Sequence, residues 1–465
     1  MHVEVLIAEI GSTTTVVNAF TDLEKAPRFL GQGMAPTSVL EGDVRVGLQA
    51  ATEDLRTSLG AQELTWDEIL ATSSAAGGLK MSVHGLVYDM TVRAAEAAAL
   101  GAGALVRMAT AGRLEASDLD EIRALRPNLI LLAGGTDHGE RQTALFNARQ
   151  IASLGLDSPV IYAGNVQNQA AIRRLFDGTG IPCHVVENVY PRLDELRIEP
   201  TRRVIHAVFE EHIVHAPGME HLRELVTGHI LPTPGAVMEA SRLLYEEIGD
   251  LVVVDIGGAT TDVHSVSQGS EEISRISTAP EPFAKRTVEG DLGLYVNAHN
   301  LVDRLGRETL ARELDLDLDR CLADYAPIPR SPQQVRLTER LCREAGVLAL
   351  QRHAGRFRHL FSPQGRQTLA EGKDLTAVRT LIGTGGALTR LPHRQLVLRD
   401  LADCNRTGEM LFPNPGALEL RFDDHYTMAA LGVLSKRHPR AALCLIQQSL
   451  GLEPTQGSPK CPIPD

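Results

Sequence analysis

The sequence predicts a two-lobed α/β protein, and three observations carry that expectation. The first is a turn that occurs twice. Ala8-Glu9-Ile10-Gly11-Ser12-Thr13-Thr14-Thr15 is matched by Val254-Asp255-Ile256-Gly257-Gly258-Ala259-Thr260-Thr261, and each copy lies between two apolar, β-branched runs. One such turn means little, because glycine and threonine are ordinary turn and strand residues. Two copies that keep an acid, an isoleucine, a glycine and a pair of threonines in order imply two related lobes, each offering a small-residue turn to a shared ligand. The second observation is strand-helix alternation between about 115 and 190, the rhythm of a parallel α/β layer. The third is a late strand, Val378 to Ile382, that runs into Gly383-Thr384-Gly385-Gly386.

Taken in order, Val5 to Ala8 and Val16 to Phe20 flank the first glycine turn and read as a hairpin. A helix is expected over about 43 to 59, then a strand from Ile69 that enters a turn at Gly77-Gly78. The Ala-rich stretch from Asp89 to Met108 reads as a long helix, since strong helix formers fill it. Asn128 to Ala133 ends at Gly134-Gly135, a helix runs through Ile151, and Pro159 to Asn165 repeats the unit. Gly77-Gly78 and Gly134-Gly135 fit either a ligand cleft, a partner surface or tight α/β turns. A helix entered through a Pro/Gly turn is expected from about 232 to 247, leading into the second hairpin, Leu251 to Val266. The stretch from 282 to 375 reads as mostly helical and charged, with a break at Pro327-Ile328-Pro329 and Pro332. A last helix is expected near Thr427 to Leu434, and the Pro/Gly-rich end reads as a mobile tail.

At 465 residues the chain is long enough for roughly two to four domains. Hydrophobic residues at 43% and charged residues at 23% are ordinary for a soluble globular protein. The net charge of -13, from 46 basic and 59 acidic residues, argues against a sequence-independent nucleic-acid or anionic-membrane binder. Six scattered cysteines without a C-x-x-C pair read as free thiols, not as a disulfide framework or metal site. No basic segment leads into a long apolar stretch, and no apolar run is long enough to span a bilayer. A soluble, cytoplasmic protein is expected.

A phosphate needs donors that can approach it closely. Glycine turns between strands present backbone N–H groups without steric obstruction, and serine and threonine hydroxyls add to them. Gly11, Ser12, Thr13 and Thr14 are candidates in the first turn, and Gly257, Gly258, Ala259, Thr260 and Thr261 in the second. Carboxylates would repel the phosphates directly but can hold Mg²⁺ or its waters between. Glu9, Asp255 and Asp262 are the candidate metal-binding and catalytic acids, and Asp255 is the first choice for orienting metal and attacking water.

These residues resemble the superfamily of actin, sugar and acetate kinases and the heat-shock chaperone ATPases. Glu9-Ile-Gly-Ser-Thr-Thr looks like its first phosphate motif and Asp255-Ile-Gly-Gly-Ala-Thr-Thr-Asp262 like its second. Gly383-Thr-Gly-Gly-Ala-Leu-Thr-Arg-Leu-Pro392 looks like its adenosine motif, and Ala429-Ala430-Leu431-Gly432 falls where it places a second interlobe helix. The resemblance implies two ribonuclease-H-like lobes, over residues 1–247 and 248–440, with an α/β insertion at about 115–190 and a tail at 441–465. It also implies ATP and Mg²⁺ as ligands, with Gly383, Gly385 and Gly386 near the adenosine. One departure is Glu9, since the motif usually begins with aspartate.

Four further segments resemble one branch, the accessory protein of glutamate (methylaspartate) mutase. They are Ser73-Ser-Ala-Ala-Gly-Gly-Leu79, Leu131-Leu-Ala-Gly-Gly-Thr-Asp137, Leu231-Pro-Thr-Pro-Gly-Ala-Val237 and Arg286-Thr-Val-Glu-Gly-Asp-Leu-Gly293. That resemblance implies an ATPase chaperone, a reactivase that helps a B12-dependent mutase exchange damaged adenosylcobalamin, with the mutase subunits as partners. The alternatives are a small-molecule kinase in the same cleft, for which no acceptor-site motif is found, and a nucleotide-binding protein without turnover. Two other patterns point to no cofactor. Asp262-Val-His264 begins like a cobalamin signature but has Ser267 where glycine belongs, and His264 reads as a strand residue. His206, His212, His215 and His221 lack a metal-binding pattern and read as a solvated helix.

Overall fold

The computed structural model describes residues 1–74, 79–213, 218–362 and 365–453. The repeated turns head two sheets of the same topology. Strands β1 (His2–Ile10), β2 (Thr14–Thr21), β3 (Arg28–Pro36) and β4 (Thr65–Ser73) begin the first. After β4 the chain leaves to build a separate parallel sheet from β5 (Lys80–Gly85), β6 (Leu105–Ala111), β7 (Leu129–Leu132), β8 (Val160–Tyr162) and β9 (Cys183–Val185). It returns as β10 (Ile230–Pro232), beside β4, so the first sheet runs β10-β4-β1-β2-β3.

The second sheet uses β11 (Leu251–Ile256), β12 (Thr261–Val266) and β13 (Ala284–Glu289). A hairpin of β14 (Arg356–Ser362) and β15 (Gly365–Glu371) precedes β16 (Thr380–Thr384) and β17 (Glu419–Phe422). Its order is β13-β12-β11-β16-β17. In both sheets three antiparallel strands are continued by two parallel ones, so each lobe is ribonuclease-H-like. The first lobe carries its large insertion after the fourth strand. The second carries its own, including the long helix Pro332–His353, after the third.

The lobes meet through a shared core. Val5, Ile7, Phe20 and Leu70 of the first sheet and Leu251, Val253 and Val266 of the second cover the same pair of helices, Thr233–Ile248 and Met428–Leu434. The helices cross in backbone contact, because a Cβ on Gly432 would overlap the carbonyl of Ala236. Small residues at the crossing, Ala236 and Ala240 against Ala429 and Gly432, permit that approach.

Several expectations are revised. The inserted parallel sheet begins at Lys80, well before the 115 expected, because Leu105–Ala111 is its edge strand and Lys80–Gly85 joins that edge to the central Leu129–Leu132. The Ala-rich stretch is a π turn, a short helix Arg93–Gly101 and then strand β6. Gly103, at φ 88°, ends the helix in the left-handed region that favours glycine. The expected tail, 441–465, takes in most of the helix Pro439–Ser449, whose Ala441, Ala442, Leu445 and Ile446 enter the interlobe core, and residues 454–465 lie outside the described residues. Cys183, Cys321, Cys342 and Cys404 are free, but Cys444 is disulfide-bonded, which scattered spacing does not forbid. The helix Glu199–Ile213 is amphipathic, not solvated throughout: Ile205, Val208 and Phe209 are buried, and burial pushes His206 down to about 4. His215 and the Gly77-Gly78 turn lie outside the described residues. No described helix is long and apolar enough to cross a membrane.

Candidate functional site

The two turns are the same local structure. In each, the glycine N–H bonds the carbonyl three residues on, Gly11 to Thr14 and Gly257 to Thr260, both at 3.0 Å. The strand registers also coincide, with Ile10 opposite Thr15 and Ile256 opposite Thr261. One pair further back, Glu9 faces Val16 whereas Asp255 faces Asp262, which places the extra acid of the second turn beside the first.

Around the first turn, Thr37 holds the outer backbone, its N–H bonding the Thr13 carbonyl at 3.0 Å and its hydroxyl the Gly11 carbonyl at 2.8 Å. Ser12 and Thr13 stay exposed, and Ser12 Oγ donates to the Ser74 carbonyl at 3.3 Å. Around the second, the N–H groups of Leu294, Tyr295 and Val296 bond the carbonyls of Gly257 and Gly258 at 2.8–3.1 Å. Among the described residues Gly258 and Ala259 donate to no protein acceptor, as an anion site requires. Thr260 Oγ1 donates to Asp262 Oδ2 at 2.8 Å, while the buried Thr261 hydroxyl is committed to the Leu292 carbonyl at 2.8 Å. Thr261 therefore supports the turn from behind.

The third glycine motif closes on the second turn. Thr384 is opposite Asp255 in the parallel pair β11 and β16. Gly385 has φ 85°, and a Cβ there would overlap Asp255 Oδ1 and stand 2.7 Å from the Ile256 nitrogen. Only glycine allows this approach. Gly386 lies in the first turn of the helix Gly385–Arg390 with open space at its Cβ position. Gly383 lies within β16 against Leu388 and Phe422, so its part is packing. Gly134 and Gly135 shape a turn of the inserted sheet, where Ala144 and Glu140 approach them.

The three acids have different surroundings. Glu9 is buried, and Tyr426 Oη donates to its Oε1 at 2.9 Å. Burial pushes its carboxyl up to about 7, opposed by the Tyr426 hydrogen bond. Asp255 keeps some surface open to solvent, yet burial, then Asp262 and Glu9, push its carboxyl up to about 8. Asp262 is ion-paired to Arg286, with Nη2 at 2.6 Å and Nε at 2.8 Å from Oδ1. Three acids crowded together with one paired cation are what a group of added positive charge would relieve.

No set of three or more His, Cys, Asp or Glu side chains is arranged to hold a metal ion among the described residues. Mg²⁺ does not need such a cage: it keeps several waters and is usually bound by one or two carboxylates and substrate phosphates. Glu9 and Asp255 fit that donor set. Asp262 fits it only by sharing its charge with Arg286.

Sequence reasoning missed Tyr426, Asp423 and Arg390. Asp423, fully buried, caps the helix Met428–Leu434 by accepting from the Thr427 and Met428 N–H groups at 2.9–3.0 Å, and takes the Thr384 hydroxyl at 3.0 Å. Tyr426, at φ 53°, is thereby aimed at Glu9, with the Arg390 guanidinium 5.7 Å over its ring. The Asp423-to-Thr427 cap was the available signal.

A profile of the MutL protein family matches residues 5–450. Protein MutL of Clostridium tetanomorphum is 36% identical over 468 residues, covering 96% of this chain and 98% of that protein. Among solved structures, nucleotide-free acetone carboxylase matches 97% of this chain and 76% of its own, at 13% identity and a TM-score of 0.39. A glycerol dehydratase reactivase matches 93% of this chain and 99% of its own, at 10% identity and a TM-score of 0.34. Both structural matches are distant. The family profile and the end-to-end relative suffice without them: this chain belongs to the MutL protein family.

Proposed function

We infer that the protein is an ATPase that reactivates an adenosylcobalamin-dependent mutase, glutamate mutase or a related aminomutase, by promoting exchange of damaged cofactor. MutL in this sense is the glutamate-mutase-related family, not the DNA-repair protein of the same name. The observation that carries the nucleotide part is the convergence of Gly385 on Asp255, which brings the adenosine-type motif against the second phosphate turn. The four mutase-branch segments carry the partner part.

ATP would lie with its phosphates on Ser12, Thr13 and the Gly258 and Ala259 N–H groups, and its adenosine near Gly385-Gly386. Glu9 and Asp255 would hold Mg²⁺ or its waters, and the ion would supply positive charge to offset that of the phosphates. Asp255 orients the attacking water, and the Ala236–Gly432 crossing is the point about which the lobes rock. Nucleotide contacts that differ before and after hydrolysis bias the two lobe positions.

The test is mutase activity after inactivation with a damaged cobalamin, followed with and without this protein, ATP and fresh cofactor. Recovery that needs ATP and is lost in Asp255→Ala is the expected result. ATP-dependent phosphate appearing on a small acceptor, or nucleotide binding with no recovery, would replace the reading with a kinase or a non-hydrolysing binder.

A further inference from the structure

Arg286 lies on β13 with its side chain 1% exposed, and it bonds in two directions. Toward the phosphate turn it holds Asp262, whose second oxygen takes the hydroxyl of Thr260. Toward the first lobe its Nη1 donates to the carbonyl of Leu100 at 3.0 Å and that of Ala104 at 3.4 Å. Those carbonyls belong to the end of the helix Arg93–Gly101 and the loop that starts β6. Helix C-termini leave carbonyls unpaired and carry partial negative charge, so a buried guanidinium is a fitting cap.

A second arginine crosses the other way. Arg202, on the helix Glu199–Ile213, donates from Nη2 to the carbonyl of Ala284, two residues before Arg286. A Cβ on Gly101 would overlap the Arg202 guanidinium, so the helix end is shaped around it. His264, opposite Arg286 in register, is fully buried with neither ring nitrogen hydrogen-bonded among the described residues. The two arginines therefore act where water is scarce, and an arginine fork there is strongly directional.

We propose that Arg286 is a positioning residue that couples the second phosphate turn to the inserted α/β unit. Asp262 serves two claimants. Were Mg²⁺ or its waters, held by Glu9 and Asp255, to draw also on Asp262 beside them, Arg286 would lose part of its anionic partner and its grip on Leu100 and Ala104 would change. By linkage the effect is reciprocal: a partner that shifts the 100–104 loop changes how tightly the metal-nucleotide complex is held. The proposal rests on the nucleotide reading of the site and supplies its route of regulation.

Amide hydrogen exchange of residues 93–111 in the full-length protein, with and without Mg²⁺ and a non-hydrolysable ATP analogue, tests it. In the wild type the analogue should change exchange there at least threefold. In Arg286→Lys, which keeps the charge but loses the fork, the analogue should still bind while that response disappears. Asp262→Asn, measured without nucleotide, should exchange about tenfold faster in the same segment than wild type, which keeps the test open if Arg286→Lys does not fold. Analogue binding with no response at 93–111 in the wild type, or an unchanged response in Arg286→Lys, overturns the coupling alone. No analogue binding in the wild type overturns the nucleotide reading and the coupling together.

Discussion

The two phosphate turns share one backbone and differ in how their charge is held. Glu9 and Asp255 occupy matching positions, with the same hydrogen bond across the turn and the same register behind it. Glu9 is answered by a neutral donor, Tyr426, and stands opposite a valine. Among the described residues Asp255 has no such donor, and it stands opposite Asp262, whose charge is met by Arg286. The hairpin thus sets where the carboxylates go, while remote segments set what they can do. The longer reach of Glu9 makes sense on this view: it meets a hydroxyl from a residue 417 positions away in the chain.

The comparison breaks first at chemistry. Asp255→Asn should lower ATP hydrolysis by about 100-fold or more, and Glu9→Gln by about tenfold, measured as steady-state phosphate release. Equal losses would mean that the two turns contribute alike. The same variants should be more stable than the wild type without nucleotide. A carboxyl whose titration is raised on folding binds its proton more tightly in the native state, so its contribution is full below the unfolded value and is lost as pH rises through the folded one. For Glu9 that window runs from 4.5 to about 7. Glu9→Gln should therefore add up to about 3 kcal/mol at pH 8 and nothing near pH 4.5, read from denaturant midpoints. Asp255→Asn should gain in the same direction. Stability lost to a function that needs a buried acid is a familiar trade.

The hairpins themselves break the symmetry next. A Cβ on Gly11 would stand 2.7 Å from the Thr14 carbonyl oxygen, whereas one on Gly257 would stand 3.3 Å from that of Thr260. The first turn is the tighter. Gly11→Ala should cost about 1–3 kcal/mol, because backbone must move. Gly257→Ala should fall within about 1 kcal/mol of neutral, since the lost chain entropy of glycine offsets a mild contact. Thermal unfolding of the two variants side by side decides this, and equal costs would show that the turns are less distinct than their contacts.

Local pattern made much of this legible. Both hairpins, the late glycine turn and the helix from 233 are written in contiguous residues, where period and turn chemistry act directly. What escaped was written across distance. Arg286 stands in a quoted motif, yet its carbonyl partners lie more than 180 residues away, and no spacing rule reaches them. The helix Pro439–Ser449 escaped because the Pro- and Gly-rich end beyond it coloured the reading of a continuously apolar stretch, Ala441 to Ile446. The Ala-rich stretch from Asp89 escaped for the opposite reason: helix formers fill it, but pairing with Lys80–Gly85 takes Leu105–Ala111 into a sheet.

The finest difference between the turns is the Tyr426 hydroxyl. A hydrogen bond donated to a carboxylate favours its charged form, so this one holds the Glu9 titration below where burial alone would put it. Tyr426→Phe removes the donor and almost nothing else, because the ring keeps its place under Arg390. The Glu9 titration should then rise from about 7 by about one further unit, the size of a hydrogen bond to a charged group. Asp255, whose carboxyl is pushed up by burial and by Asp262 and Glu9, should move less. Carbon-13 carboxyl shifts followed against pH, with Glu9→Gln and Asp255→Asn to assign the two signals, separate these outcomes. If Tyr426→Phe moved both titrations equally, the acids would be a single coupled cluster, and the division between a hydroxyl-held first turn and a carboxylate-crowded second would be lost.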